Sequence, residues 1–169
     1  MNSVRSELPA DYPAVFAIHR RAFGRDNEAK LVEALRRTAD PQISLVAIRE
    51  GRVVGHIFFS PVIIEGEGSS FQVLCLGPMA VVPELQNHGI GSQLVTVGLE
   101  AVRRAGHNVV VVVGHPNFYP RFGFAVASRK GLCYEHPVPD EAFMVAELEP
   151  GALGGHSGVV KYLPEFSIV

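Results

Sequence analysis

The run "NVVVVVG" at residues 108–114 constrains the fold more than any other stretch of the chain. Five valines in a row leave no polar face, so the segment suits a strand buried on both sides and not one that alternates between core and water. Such strands belong to parallel sheets, and a parallel neighbour needs a crossover. The preceding chain supplies one. From Gly89 to Ala105 the positions Ile90, Leu94, Val97, Ala101 and Val102 follow the helical period, and Gly106 stops the run. Before that helix, a β-branched and apolar stretch from about Phe71 to Val82 reads as a long strand. Its Gly77-Pro78 pair predicts a bulge or a local departure from the ladder, and a bend near the middle. Strand, helix and strand therefore form a parallel crossover unit.

The N-terminal part extends the pattern. "VRSEL" reads as an opening strand, followed by a helix on the spacing of Val15, Ile18, His19, Ala22 and Phe23, with Asp11 as its N-cap and Pro13 in its first turn. "NEAKLVEALRRT" is a second helix, with Asn27 as cap. "ISLVAIRE" and "RVVGHIFFSPVII" form a hairpin across Glu50-Gly51, and residues 65–68 make the next turn. Late in the chain, "AFMVAEL" and "GVVKYL" are expected to supply edge strands. No repeat, low-complexity tract or linker divides the 169 residues, so the expectation is one α/β (α+β) domain over 1–169.

Several functional classes lose support at this level. A net charge of −2 predicts no nucleic-acid partner. No apolar stretch approaches the roughly 20 residues of a membrane helix, and "MNSVRSELPADYPAVF" lacks a signal-peptide core, so no membrane association and a cytoplasmic location are expected. Cys75 and Cys133 lack metal or redox spacing and read as thiols, and the histidines show no ligand spacing, so no metal is expected. Cys75 reads as core, with a covalent thiol mechanism as the alternative.

The junction between long strand and helix, "PELQNHGIGSQL", carries the chemistry. A helix that starts there presents its first N–H groups and the positive end of its dipole, which together suit an anion. Gly89 and Gly91 remove side chains where a phosphate would approach, Ser92 adds a hydroxyl, and Gln86, Asn87 and His88 bring polar groups on the incoming turn. The plainer alternative is a tight turn with close helix packing. A P-loop is excluded because no Lys-Ser/Thr pair follows, and Leu94 stands where the dinucleotide fingerprint has its third glycine.

The pattern Q-x-x-G-x-G at Gln86, Gly89 and Gly91, between strand and helix, resembles the coenzyme A pyrophosphate loop of the GNAT acetyltransferase superfamily. A second segment, Asn117 and Tyr119 followed by Gly123-Phe124, is similar to that superfamily's N…Y-x-x-x-G-F. "GHPNFYPRFGF" resembles the YhbS-like branch. The resemblance covers about residues 3–127 and weakens beyond. It implies a mixed sheet splayed between its fourth and fifth strands, with acetyl-CoA as cosubstrate. Met79, Ala80 and Val81 would pair with the pantetheine arm, and a backbone N–H of Met79 or Val81 would polarise the thioester carbonyl. Gln86, Asn87, His88, Gly89, Ile90, Gly91 and Ser92, with Asn117, would hold the cofactor. Tyr119, on a single turn capped by Asn117 with Pro120 inside it, would be the general acid for the departing thiolate; the competing reading is a packed amphipathic core residue. His115 and Glu28 are candidate bases.

The activity so implied is acetyl transfer to a primary amine of a small molecule or peptide by direct attack. The alternative is a non-catalytic acyl-CoA sensor or partner module. An exposed C-terminal edge strand would allow a homodimer across a two-fold axis.

Overall fold

The computed structural model describes residues 2–169. The chain divides into two compact units: one of residues up to Ser60 with Gly77–Ala101 and Pro164–Val169, the other of Pro61–Leu76 with Val102–Leu163. Strands β3 (Arg52–Gly66) and β4 (Ser69–Val81) are long enough to run through both.

In the first unit, β1 (Asn2–Ser6) pairs antiparallel with β2 (Ile43–Arg49), and β2 pairs with β3 across the expected turn. Glu50 and Gly51 both take left-handed backbone there, with φ of 51° and 74°, as a two-residue hairpin loop requires. Helices α1 (Tyr12–Phe23) and α2 (Asn27–Thr38) bury the predicted stripes: Val15 and Ile18 from one, Leu31, Val32 and Leu35 from the other. Their expected side-chain caps are not made. The Asp11 carboxylate instead accepts the Leu8 N–H at 2.7 Å and a two-bond contact from Arg5, while α2 begins after Asp26 and the Asn27 amide donates to the Ile168 carbonyl. Asp11 does hold the N-cap position of α1, but its carboxylate is committed to the charged Arg5, and in α2 the cap position falls to Asp26, one residue before Asn27.

A polar chain crosses this otherwise apolar core. Arg36 donates to both oxygens of Glu7 (3.2 and 2.7 Å), and the Ser44 hydroxyl donates to Glu7 Oε1 at 2.9 Å. With its proton committed, Ser44 Oγ must accept from His56 Nε2–H at 2.8 Å, which leaves His56 Nδ1 to accept from His19 Nε2–H at 2.8 Å. The Glu7 carboxylate thus sets both tautomers. Beyond them, His19 Nδ1 is buried with no hydrogen-bond partner among the described residues.

Helix α3 (Ile90–Arg104) follows the long strand as expected. Two glycines where it packs on β3, Gly55 of the strand and Gly98 of the helix, admit it. A Cβ at Gly55 would stand 3.0 Å from Leu94 Cδ1 and 3.3 Å from Ile90 Cγ2, and one at Gly98 would stand 2.7 Å from the Phe59 ring. A side chain at Gly98 would force the Phe59 ring to move, and one at Gly55 would need its neighbours to give by a few tenths of an ångström.

In the second unit β5 (Val109–Val113) is the predicted parallel partner of β4, with Leu74 opposite Val110 and Cys75 opposite Val111. The parallel register ends there, just before Gly77-Pro78, which is the local departure from the ladder that this pair predicts, while β4 itself continues as strand to Val81. Strands β6 (Ala125–Val126) and β7 (Leu132–Tyr134) were not anticipated. The two late strands are not edges. β8 (Phe143–Glu147) lies between β5 and β6, and β9 (Gly158–Lys161) pairs with both β3 and β7. Among the described strands of this unit the sheet ends instead at β6, and at β7, which pairs only with β9. No described helix is long and apolar enough to cross a membrane.

The histidine pair predicts a pH dependence of stability. Burial, opposed by Glu28 and reinforced by Arg36, takes His19 down to about 4, and burial with the charges of His19 and Arg36 takes His56 well below its usual value. Both are neutral when folded. Unfolded histidine takes its proton near pH 6.5, so the stability they confer is complete above that pH and falls below it, by on the order of 1.4 kcal/mol per pH unit and per histidine. Denaturant unfolding at about pH 7.5 and about pH 5 should show the loss; equal stability at both would contradict neutral burial.

Candidate active site

The loop at the start of α3 is built entirely within the first unit. The Val82 N–H donates to the Val54 carbonyl at 2.9 Å, fastening the end of β4 to β3. One 3₁₀ turn over Pro83–Leu85 follows, and the chain leaves it extended at Gln86. The Gln86 amide donates back to the Val81 carbonyl at 3.1 Å, and the His88 Nδ1–H donates to the Gln86 carbonyl at 2.8 Å. Asn87 and Gly89 both adopt left-handed backbone, with φ of 64° and 84°, which Asn tolerates and Gly accepts freely. A Cβ at Gly89 would meet nothing within 4 Å, so conformation, not crowding, demands glycine at this position.

The first intrahelical bond runs from Gln93 N–H to the Gly89 carbonyl at 3.0 Å. The N–H groups of Ile90, Gly91 and Ser92 precede it and have no acceptor within the helix. Asn87, His88 and Gly89 are exposed, Gly91 and Ser92 half-buried, and Ile90 is buried against the core. On β4, Met79 is half-buried while Ala80 and Val81 are buried. Arg21 of α1 grips Glu84 with two bonds (3.3 and 2.7 Å), bracing the shoulder of the loop. The geometry gives Gln86 and His88 structural bonds that the sequence did not reveal.

Tyr119 lies in the second unit. After β5, the Gly114 N–H donates to the Ala142 carbonyl, and the His115 carbonyl accepts from Phe118 and Tyr119. A 3₁₀ turn then spans Tyr119–Phe122, with Pro120 in it and Gly123 at its end. The cap position is held by Phe118, not by the expected Asn117, because the turn begins at Tyr119, directly before the proline that fixes its φ. Asn117 is exposed and offers its carbonyl to Arg121 at 3.3 Å.

The Tyr119 ring is 7% exposed and edge-on to Phe118 and Phe124, with centroids 5.0 and 5.6 Å away. Burial pushes its phenol up to about 12, so the hydroxyl stays protonated at any physiological pH. Of the candidate bases, His115 is exposed. For Glu28, burial raises the carboxyl, but two bonds from Arg25 (3.0 and 2.6 Å) and its charge, with the Glu28 backbone N–H and His19, outweigh it and hold the group below its usual value. A carboxylate so held is a poor proton acceptor. Cys75 is fully buried core.

The sequence model of the acetyltransferase (GNAT) domain matches residues 3–127. The chain belongs to the GNAT acetyltransferase family. It is 39% identical over 165 residues to the N-acetyltransferase YhbS of Escherichia coli K12, covering 97% of this chain and 98% of that one, and 39% identical over 155 residues to the N-acetyltransferase YjhQ of the same strain, covering 87% and 86%. A crystal structure of E. coli YhbS in complex with CoA superposes with a TM-score of 0.89 at 37% identity, over 98% of this chain and 91% of that one. A GNAT acetyltransferase from Brucella melitensis in complex with acetyl-CoA superposes with a TM-score of 0.79 at 31% identity, over 99% of both chains. The general GNAT pattern ends at Ala127, as expected, while the likeness to YhbS continues through the C-terminal strands.

Gly114 sets the Tyr119 ring. A Cβ built there would collide with Cε2 of the ring. Gly114→Ala should therefore cost about 1–3 kcal/mol by overpacking, read by urea unfolding; unchanged stability would show that the ring is not held in this position.

Proposed function

We propose that this GNAT protein transfers an acetyl group from acetyl-CoA to a primary amine by direct attack on the thioester. The observation that carries the reading is the loop from Gln86 to Ser92, where left-handed backbone at Asn87 and Gly89 delivers the unpaired N–H groups of α3 behind an exposed, side-chain-poor turn. Those donors suit the pyrophosphate of coenzyme A, and the CoA and acetyl-CoA complexes of the relatives support that ligand. Gln86, Asn87, His88, Gly89, Ile90, Gly91 and Ser92 form this cradle, with Asn117 as a further contact. Met79, Ala80 and Val81 would meet the pantetheine arm, and the N–H of Met79 or Val81 would stabilise the carbonyl oxygen as it gains charge.

The amine nitrogen bonds to the carbonyl carbon, the carbon–sulfur bond breaks, and the sulfur leaves as thiolate. Tyr119 gives the thiolate its proton. Because its phenol is held near 12, transfer to a thiolate runs uphill by itself; the proton shed by the attacking nitrogen restores the phenol and closes the balance. A protein location in the cytoplasm accords with this chemistry, since acetyl-CoA is made inside cells.

Tyr119→Phe keeps the ring and its packing and deletes only the hydroxyl. Coenzyme A affinity should hold, and kcat should fall by about 10²- to 10⁴-fold, measured as thiol release from acetyl-CoA with a working amine. A kcat within about threefold of the parent would remove Tyr119 from the chemistry. Acetyl-CoA binding with no thiol release across a panel of amines, peptides and polyamines would favour the sensor instead.

A further inference from the structure

His19 and His56 are both fully buried, and the transfer chemistry proposed above uses neither. Burying polar rings costs free energy that an apolar core of the same volume would not. What the rings add is direction. A hydrogen bond holds a helix at one rotation and one height, which aliphatic packing alone specifies less sharply. The chain from Arg36 and Glu7 through Ser44 to His56 and His19 joins α2, the segment after β1, β2, β3 and α1, and every member lies in the first unit.

His19 is the end of that chain. Its Nδ1 has no hydrogen-bond partner among the described residues, so the 2.8 Å bond from Nε2 to His56 is the ring's directional tie. The two rings meet edge-on, with centroids 5.0 Å apart and planes 80° apart, and Phe23, the last residue of α1, stacks on His19 with planes 4° apart. The rotation of α1 about its own axis is thereby set against β3.

The same two elements hold the entry to the candidate cofactor loop. On α1, just past His19, Arg21 takes both oxygens of Glu84. On β3, just before His56, the Val54 carbonyl accepts the Val82 N–H at 2.9 Å, and Gly55 between them receives Ile90 and Leu94 of α3. Arg21 and Glu84 are 52% and 58% exposed, and an ion pair in water contributes little by itself. It can steer Glu84 only where α1 is already fixed, and the histidine bond is what fixes it.

We propose that His19 and His56 are positioning residues for the cofactor loop: their bond locks α1 to β3, and the lock reaches the loop through Arg21 on Glu84 and Val54 on Val82. That the loop receives coenzyme A rests on the transferase reading above; that the histidines set its shape rests on these bonds. A loop held ready in this way spares the ligand the cost of ordering it.

Calorimetric titration of the full chain with acetyl-CoA at about pH 7.5, where both rings are neutral, tests this in three variants. His19→Leu keeps the bulk but removes the donor to His56, and should weaken acetyl-CoA by about tenfold. His19→Gln returns an N–H near the place of Nε2–H and should bind within about threefold of the parent. Both are measured well below their melting temperatures, where a loss of stability alone leaves the affinity of the folded molecules unchanged. Glu84→Met leaves the core untouched and decides the matter should the His19 variants not fold. Removing a negative charge beside an anion site, and freeing Arg21, tightens binding if charge alone matters, whereas loss of the brace should weaken it by at least about threefold. The proposal is overturned by a folded His19→Leu that binds within about twofold of the parent, by His19→Gln that binds no tighter than His19→Leu, or by Glu84→Met that binds as tightly as the parent or tighter. Each of those results leaves the transferase reading standing. A parent that does not bind acetyl-CoA sinks the cofactor reading, and the positioning role falls with it.

Discussion

The close approach of α3 to β3, through the bare backbone of Gly55 and Gly98, is the contact on which the candidate cofactor loop depends. Ile90 and Leu94 fill the space that a side chain on Gly55 would take, and Phe59 fills that of Gly98. Because Ile90 is also the first residue of the helix, packing at Gly55 fixes where the exposed N–H groups begin. The rest of the loop fastens onto that point: Val82 to Val54 behind it, and Gln86 to Val81 beside it. Interiors packed this tightly do not deform gradually, so the direction of the helix start is set by the core and not by the ligand.

The two ends of the proposed chemistry use different physics. The loop works through backbone, whose donors are neutral and need no proton at a particular pH. Tyr119 works through burial, which keeps its hydroxyl protonated and its ring held by Gly114, Phe118 and Phe124. Neither end requires a charged side chain. In the first unit the ionic pair of Arg36 and Glu7 orients Ser44, His56 and His19 in turn, while the buried carboxylates of Asp11 and Glu28 are taken by Arg5 and Arg25.

The sequence was informative where local pattern decides structure. The hairpin at Glu50-Gly51, the α3 stripe and the valine run of β5 all emerged as read, and so did the order of motifs that marks the family. It was silent where a partner comes from afar. Asp11 and Asn27 look like caps, but Arg5 and the Ile168 carbonyl claim them. His19 showed its place on the buried helical face, yet nothing near it in sequence announces His56. β6 and β7 are two and three residues long, too short for any periodicity. In β8, Phe143, Met144, Val145 and Ala146 are all buried, an unbroken apolar run like that of β5, which fits a strand inside the sheet and not at its edge. At the candidate site, Gly89 was legible, whereas the anchoring bonds of Gln86 and His88 depend on a loop shape that spacing does not specify.

The central claim is that the free N–H groups at the start of α3 receive the pyrophosphate of acetyl-CoA. Amide resonances of the isotopically labelled protein, followed as acetyl-CoA is added, test it most directly. The account predicts that the amides of Gly89, Ile90, Gly91 and Ser92 shift together and saturate with the ligand, while the same amounts of NAD leave them in place. Binding of acetyl-CoA that leaves those four amides unmoved would contradict it.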